Sequence, residues 1–146
     1  MTNAYLHPGL PGPVAAPAGL DAPFWQGLRD EQLLLQRCAA CHRFQWGPEW
    51  ICHRCLCFDL AFEPVEPRGV IYSYERVWHP VHPALKDQGP YVIVLVELPA
   101  ADGVRVVGNL LGDPRTHVEI GAPVRGVFEH HGDADPAFTL LQWTRS

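Results

Sequence analysis

The chain has 146 residues, a length that fits one domain or one domain with a small appendage. Its residues are 47% hydrophobic and 18% charged, an ordinary balance for a soluble globular protein, and its net charge of −5 includes a single lysine, Lys86. An acidic chain gains no long-range attraction to phosphate backbones, which counts against nucleic acid as a partner. No apolar run approaches the roughly 18–20 residues of a membrane span. The N-terminus lacks the basic-then-apolar order of a secretory signal, so the expected location is the reducing cytoplasm, where clustered cysteines bind metal more often than they pair.

Residues 1–21 form a proline-rich arm without periodicity, containing Pro8, Pro11, Pro13 and Pro17. Such a segment has no core of its own and reads as a disordered tail or as an arm that orders on a partner. Residues 22–37 hold a short helix and a lead-in strand. Asp21 is the expected N-cap and Pro23 is tolerated in the first turn. Phe24, Trp25 and Leu28 share one helical face. Two turns of helix are too short to persist alone, so that aromatic face must pack on this chain or on another protein. Leu33-Leu34-Leu35-Gln36-Arg37 then leads, extended, into Cys38.

Residues 38–63 carry two CxxC pairs, Cys38/Cys41 and Cys52/Cys55, with ten residues between them. Each pair sets two sulfurs on one side of a tight loop, and two such loops offer four thiolates at tetrahedral corners. Zinc suits this donor set better than iron, and a site with four protein thiolates leaves no open position for water, so it is structural rather than catalytic. A redox motif would need a CxxC at a helix N-terminus after a strand, a context neither pair has. His42, His53 and Cys57 lie close enough in sequence to substitute for a cysteine, but the regular pairing favours the four cysteines. Arg37, Arg43 and Arg54 would offset the negative metal–thiolate cluster. Phe44, Trp46 and Trp50 must supply most of the packing in so small a unit.

Pro64, Pro67 and Gly69 mark a hinge, and residues 64–146 change to strands. Five are expected: Val70–Val77, Tyr91–Leu98, Val104–Leu111, Pro123–His130 and Phe138–Thr144. The second, nearly all apolar, reads as buried on both faces. Turn signals at 87–90, 102–103, 112–114 and 132–133 separate them. Five short strands without a long helix point to a five-stranded OB-type barrel, and the fold class is mainly β.

No catalytic constellation emerges. His79 and His82 sit in a proline-rich loop after the first barrel strand; the loop reading is an exposed turn or a site at a partner interface. His130 and His131 should face opposite ways at the end of a strand. Asn109 and Asp113 suit turns. There is no phosphate-cradling glycine loop and no Gly-x-Ser-x-Gly.

The order of parts resembles a bacterial and archaeal family associated with acyl-CoA metabolism and first catalogued as a domain of unknown function, number thirty-five. The resemblance runs over roughly residues 22–143. It is carried by Phe24-Trp25-Gln-Gly27-Leu28, Leu35-Gln36-Arg37-Cys38-Ala-Ala-Cys41, Cys52-His-Arg-Cys55, Gly69-Val70-Ile71-Tyr72-Ser73, Pro90-Tyr91-Val92, Val96-Glu97-Leu98 and Ile120-Gly121. It implies an N-terminal helix, a rubredoxin-like zinc ribbon with one structural Zn²⁺ on Cys38, Cys41, Cys52 and Cys55, and an OB-fold. Family ribbons carry a glycine after the second cysteine, where this chain has His42, and a proline-rich link where it has Gly47-Pro48-Glu49-Trp50-Ile51.

The resemblance also implies an accessory role. Family members associate with thiolase-fold enzymes, as in aldolases that cleave steroid side-chain CoA thioesters, and some are fused to MaoC-type hydratase domains. The first expectation is therefore an accessory subunit of a thiolase-like aldolase (a carbon–carbon lyase) acting on a steroid-type acyl-CoA. It would contribute no catalytic residue and would assemble two-plus-two with its partner. Phe24, Trp25, Trp46 and Trp50 are the interface candidates, since aromatics dominate hot spots. The alternatives are a stand-alone acyl-CoA-binding protein and a nucleic-acid-binding ribbon/OB module.

Overall fold

The computed structural model describes residues 12–13 and 18–146, so most of the proline-rich arm lies outside the described residues. A single helix, α1 (Ala22–Arg29), precedes a three-stranded antiparallel sheet of β1 (Leu33–Cys38), β2 (Phe44–Gln45) and β3 (Leu60–Val65), in the order β2-β1-β3. A five-stranded antiparallel sheet follows, made of β4 (Arg68–Val77), β5 (Tyr91–Leu98), β6 (Val104–Asn109), β7 (Pro123–His131) and β8 (Phe138–Arg145). Its order is β6-β5-β4-β7-β8, and an isolated parallel bridge between Leu110 and Trp143 brings its two ends together into a nearly closed barrel. The expected architecture of helix, cysteine unit and five-stranded barrel is present.

Helix α1 places Phe24, Gly27 and Leu28 in the core, with Trp25 half-buried on the flank. Asp21 does not cap the helix with its side chain; its carboxylate accepts instead from the Trp25 indole N–H at 2.8 Å. Strand β3 went unrecognised because Pro64 lies inside it. That proline is tolerated because β3 is an edge strand, with Pro64 opposite Leu34.

The barrel strands begin and end within two residues of the expected positions, and β5 matches at both ends. One expectation needs correction. β5 is not buried on both faces: Val92, Val94, Val96 and Leu98 point into the core, while Tyr91, Ile93, Leu95 and Glu97 are half-covered. A β-bulge at Tyr72 shifts the β4–β5 register between Ile71 and Ser73.

The core is continuous across the units. Phe24, Leu28, Leu33, Leu35 and Val65 join Ile71, the inward row of β5, Val106, Leu110, Val124, Leu141 and Trp143 in one cluster. Trp143 is fully buried, and among the described residues its indole N–H has no hydrogen-bond partner. It packs against Gly108 so closely that a Cβ there would lie 2.8 Å from the ring, so only glycine fits opposite it. Among the described residues no helix is long and apolar enough to cross a membrane.

Candidate metal centre

Both cysteine pairs sit on turns of the same construction. The amide of His42 donates to the Cys38 carbonyl at 2.9 Å, and the amide of Leu56 donates to the Cys52 carbonyl at 3.1 Å. The residue after each second cysteine is left-handed, His42 with φ 59° and Leu56 with φ 63°. A side chain there meets its own backbone, which explains why glycine is favoured at that position. Within the turns, amides point at sulfur: Cys41 N–H to Cys38 Sγ at 3.5 Å and Arg54 N–H to Cys52 Sγ at 3.4 Å.

The two turns face each other. Cys38 Sγ is 3.5 Å from Cys55 Sγ, Cys41 Sγ is 3.6 Å from Cys52 Sγ, and all four sulfurs lie within 4.8 Å of one another. A tetrahedron with metal–sulfur bonds of about 2.3 Å has edges of about 3.8 Å, so the donor set fits a metal ion of that size. Cys57 stands apart: its carbonyl accepts from the Cys52 amide and its sulfur from the Asp59 amide.

Four sulfurs this close cannot all carry charge without a cation among them. The Cys41 amide, aided by Ala40 and by the thiols of Cys55 and Cys41, outweighs burial and brings Cys38 down to about 6. The amides of Cys55 and Arg54 likewise lower Cys52. Cys55 goes the other way. The Cys57 amide favours its thiolate, but the hydrogen bonds with Cys38, Cys41 and Cys52, together with burial, push it up to about 12. A divalent cation among the sulfurs would favour the thiolate form of all four and release their protons.

The turns are held by groups that spacing did not reveal. Gln36 and Gln45, buried and directly opposite each other across β1 and β2, bond through Gln45 Nε2 to Gln36 Oε1 at 3.0 Å. Gln36 also grips both backbone groups of Glu49, and Gln45 accepts from the His53 amide at 2.9 Å. These two side chains fix the link and the second turn in place of the family's proline-rich segment. The available signal was modest: two neutral polar residues flanking the first pair, of which only Gln36 lies on the expected extended segment.

A second unforeseen group is Asp102, on the barrel. It accepts from Arg43 Nη1 at 2.9 Å and from the Phe44 amide at 2.9 Å, clamping β2 to the β5–β6 turn. Arg37 is paired with Glu63 at 3.0 Å. Two of the three arginines expected beside the sulfurs therefore have carboxylate partners of their own.

The four aromatic candidates separate. Phe24 is 6% exposed and packs on Trp46 with ring centroids 4.3 Å apart, so both serve the chain's own core. Trp25 lies against Phe24 at 5.2 Å. Trp50 is 71% exposed, and Phe58, which sequence reasoning passed over, is 78% exposed; the two line one groove with Leu20 and Phe62. His79 is exposed, and His82 caps a short 3₁₀ turn by accepting from the Ala84 amide. His130 and His131 do diverge: His130 reaches Glu31 and Thr139, whereas His131 is largely buried and meets Glu129 at 2.6 Å.

Residues 62–129 match the family model described as the C-terminal OB-fold domain of ChsH2. A solved structure described as the Ltp2-ChsH2(DUF35) aldolase superposes with a TM-score of 0.72 at 36% identity, covering 86% of this chain and 93% of that one. The chain belongs to the DUF35 family. A crystal structure of a DUF35 protein of unknown function from Sulfolobus solfataricus shares the fold, with a TM-score of 0.61 at 16% identity and coverage of 88% and 87%.

Two curated proteins are also similar. A probable enoyl-CoA hydratase alpha subunit from Thermomonospora curvata is 40% identical over 121 residues, and the 3-oxo-4,17-pregnadiene-20-carboxyl-CoA hydratase alpha subunit of Mycobacterium tuberculosis is 32% identical over 123. Each alignment takes 82% of this chain and 36% of the relative. This DUF35 chain thus spans about a third of the length of the curated relatives it matches.

Proposed function

We propose that the chain is an accessory subunit of a thiolase-fold acyl-CoA enzyme, specifically an aldolase that cleaves the side chain of a steroid-type acyl-CoA. The observation that carries this reading is the match to the Ltp2-ChsH2(DUF35) aldolase structure, which covers 86% of this chain and 93% of that one. The M. tuberculosis relative's steroid CoA thioester supports the substrate class. The hydratase names attach to proteins of which this chain matches about a third, so they do not argue for hydration here. In this role the four thiolates bind one structural zinc ion, the partner holds the reacting groups, and the assembly is two-plus-two.

The test is co-expression with a thiolase-fold protein encoded beside this chain. The expected result is a stable complex, one zinc per DUF35 chain, and retro-aldol cleavage of a steroid-type acyl-CoA by the complex but not by the DUF35 chain alone. Failure to co-purify, or full cleavage by the partner alone, sinks the proposal. Trp50→Ala should weaken the complex about tenfold or more while leaving the chain folded, because the ring is largely free in the isolated chain.

A further inference from the structure

The end of the barrel away from the metal centre carries an exposed indole beside two arginines. Trp78, just beyond β4, is 51% exposed. The guanidinium carbons of Arg76 and Arg115 each lie 5.8 Å from its ring centroid, inside cation–π range. Arg76 is fixed, with Nε on the Pro114 carbonyl and Nη2 on the Thr116 carbonyl, both at 2.7 Å. These bonds tie the end of β4 to the β6–β7 connection that holds Arg115.

The charge of this pair is not consumed. Arg37, Arg43, Arg68 and Arg105 each have a carboxylate within 4.0 Å, but among the described residues Arg76 and Arg115 have none. Asp113, two residues before Arg115, accepts from the Arg115 amide at 2.9 Å and so shapes the turn rather than pairing with the guanidinium. What sets this pair apart from the other arginines without a carboxylate is that both stand over one exposed indole. Neutral carbonyls hold one of them in place without cancelling its charge.

We propose that Trp78, Arg76 and Arg115 form a binding site for a nucleoside phosphate. The indole offers a face for a purine ring, and the guanidiniums meet the phosphates. Only the source of the ligand rests on the acyl-CoA reading above: it is the adenosine 3′,5′-bisphosphate end of coenzyme A, held while the acyl end reaches the partner. The acidic balance of the chain opposes a polyanion and leaves a compact anion as the fitting class.

Titration calorimetry on the full chain, alone and with its partner, tests this with coenzyme A, adenosine 3′,5′-bisphosphate, adenosine, inorganic phosphate and a single-stranded oligothymidylate. Coenzyme A and the bisphosphate should bind comparably, and adenosine and phosphate at least tenfold more weakly. Arg115→Gln and Trp78→Ala should each weaken binding on the order of tenfold, with Val81→Ser, fully exposed on the same loop, as the unaffected control. No binding at millimolar ligand, indifference to both substitutions, or preference for the oligonucleotide overturns the site. Bisphosphate binding without coenzyme A binding overturns the assigned source. A flat titration together with loss of co-purification in Trp78→Ala makes this surface a protein interface and also overturns the site. If the wild-type chain binds nucleotide but no thiolase-fold protein, the accessory-subunit reading falls and the site stands.

Discussion

Between residues 38 and 60 the chain buries two cysteines and Gln45 and almost nothing else. The barrel that follows buries Ile71, Val92, Val94, Val96, Leu98, Val106, Val124 and Trp143. The ribbon therefore has thiolates and buried amides where the barrel has aliphatic packing. Apolar burial of about 25 cal/mol per Å² can sustain the barrel, but a unit this small needs a staple. The contrast teaches that the two regions should fail under different insults even though one continuous core runs between them.

The largest effect should come from the zinc ion proposed for the four thiolates. Apparent zinc affinities in such sites correspond to about 10–16 kcal/mol, so Cys38→Ser or a strong chelator should release residues 38–60 while β5 amides stay protected from hydrogen exchange. Simultaneous loss of both sets of protected amides would break the comparison. Acid should act in the same direction. The Cys38 thiolate favours the folded turn fully above the ordinary thiol value of 9.0, and that contribution fades as pH falls through about 6. Cys55 has the opposite sign: its thiol favours the fold below 9.0, and this is lost as pH rises through about 12. A metal needs thiolates, so metal release, followed with a colorimetric indicator, should steepen below about pH 6.

Leu98→Ala is next and belongs to the barrel. Leu98 is fully buried, and its truncation should cost about 2–5 kcal/mol in denaturant unfolding, with the metal stoichiometry unchanged. Asp102→Asn probes the joint. It weakens the contacts with Arg43 and the Phe44 amide and should cost about 1 kcal/mol, since the Arg43 side chain is half exposed. Chemical shifts should change on both sides of the seam; changes confined to one side would mean that the clamp couples nothing. The smallest effect is His42→Gly, which should raise stability by up to about 1 kcal/mol by relieving the left-handed backbone.

The strands were legible because alternating β-branched residues between Gly, Pro and Asp turns have few other readings, and β5 came out at both ends. The four sulfurs were legible because CxxC spacing dictates local geometry. What stayed hidden is non-local. Gln36 opposite Gln45 depends on strand register, and Asp102 on Arg43 joins residues far apart in the chain. Strand β3 was hidden by Pro64, whose meaning changes once its position at a sheet edge is known. Phe24 and Trp46 looked like surface for a partner because a two-turn helix does not declare what it packs on; each is the other's neighbour.

Trp143 gives the molecule an internal lamp. Its indole lies wholly within the apolar core, and among the described residues its N–H has no hydrogen-bond partner. Its emission belongs at the blue end of the tryptophan range, whereas Trp50 and Trp78, open to water, emit at the red end. Loss of the blue component reports on the barrel core, because an indole already open to water changes little on unfolding. The unlabelled protein therefore carries its own gauge of whether the barrel core has come apart.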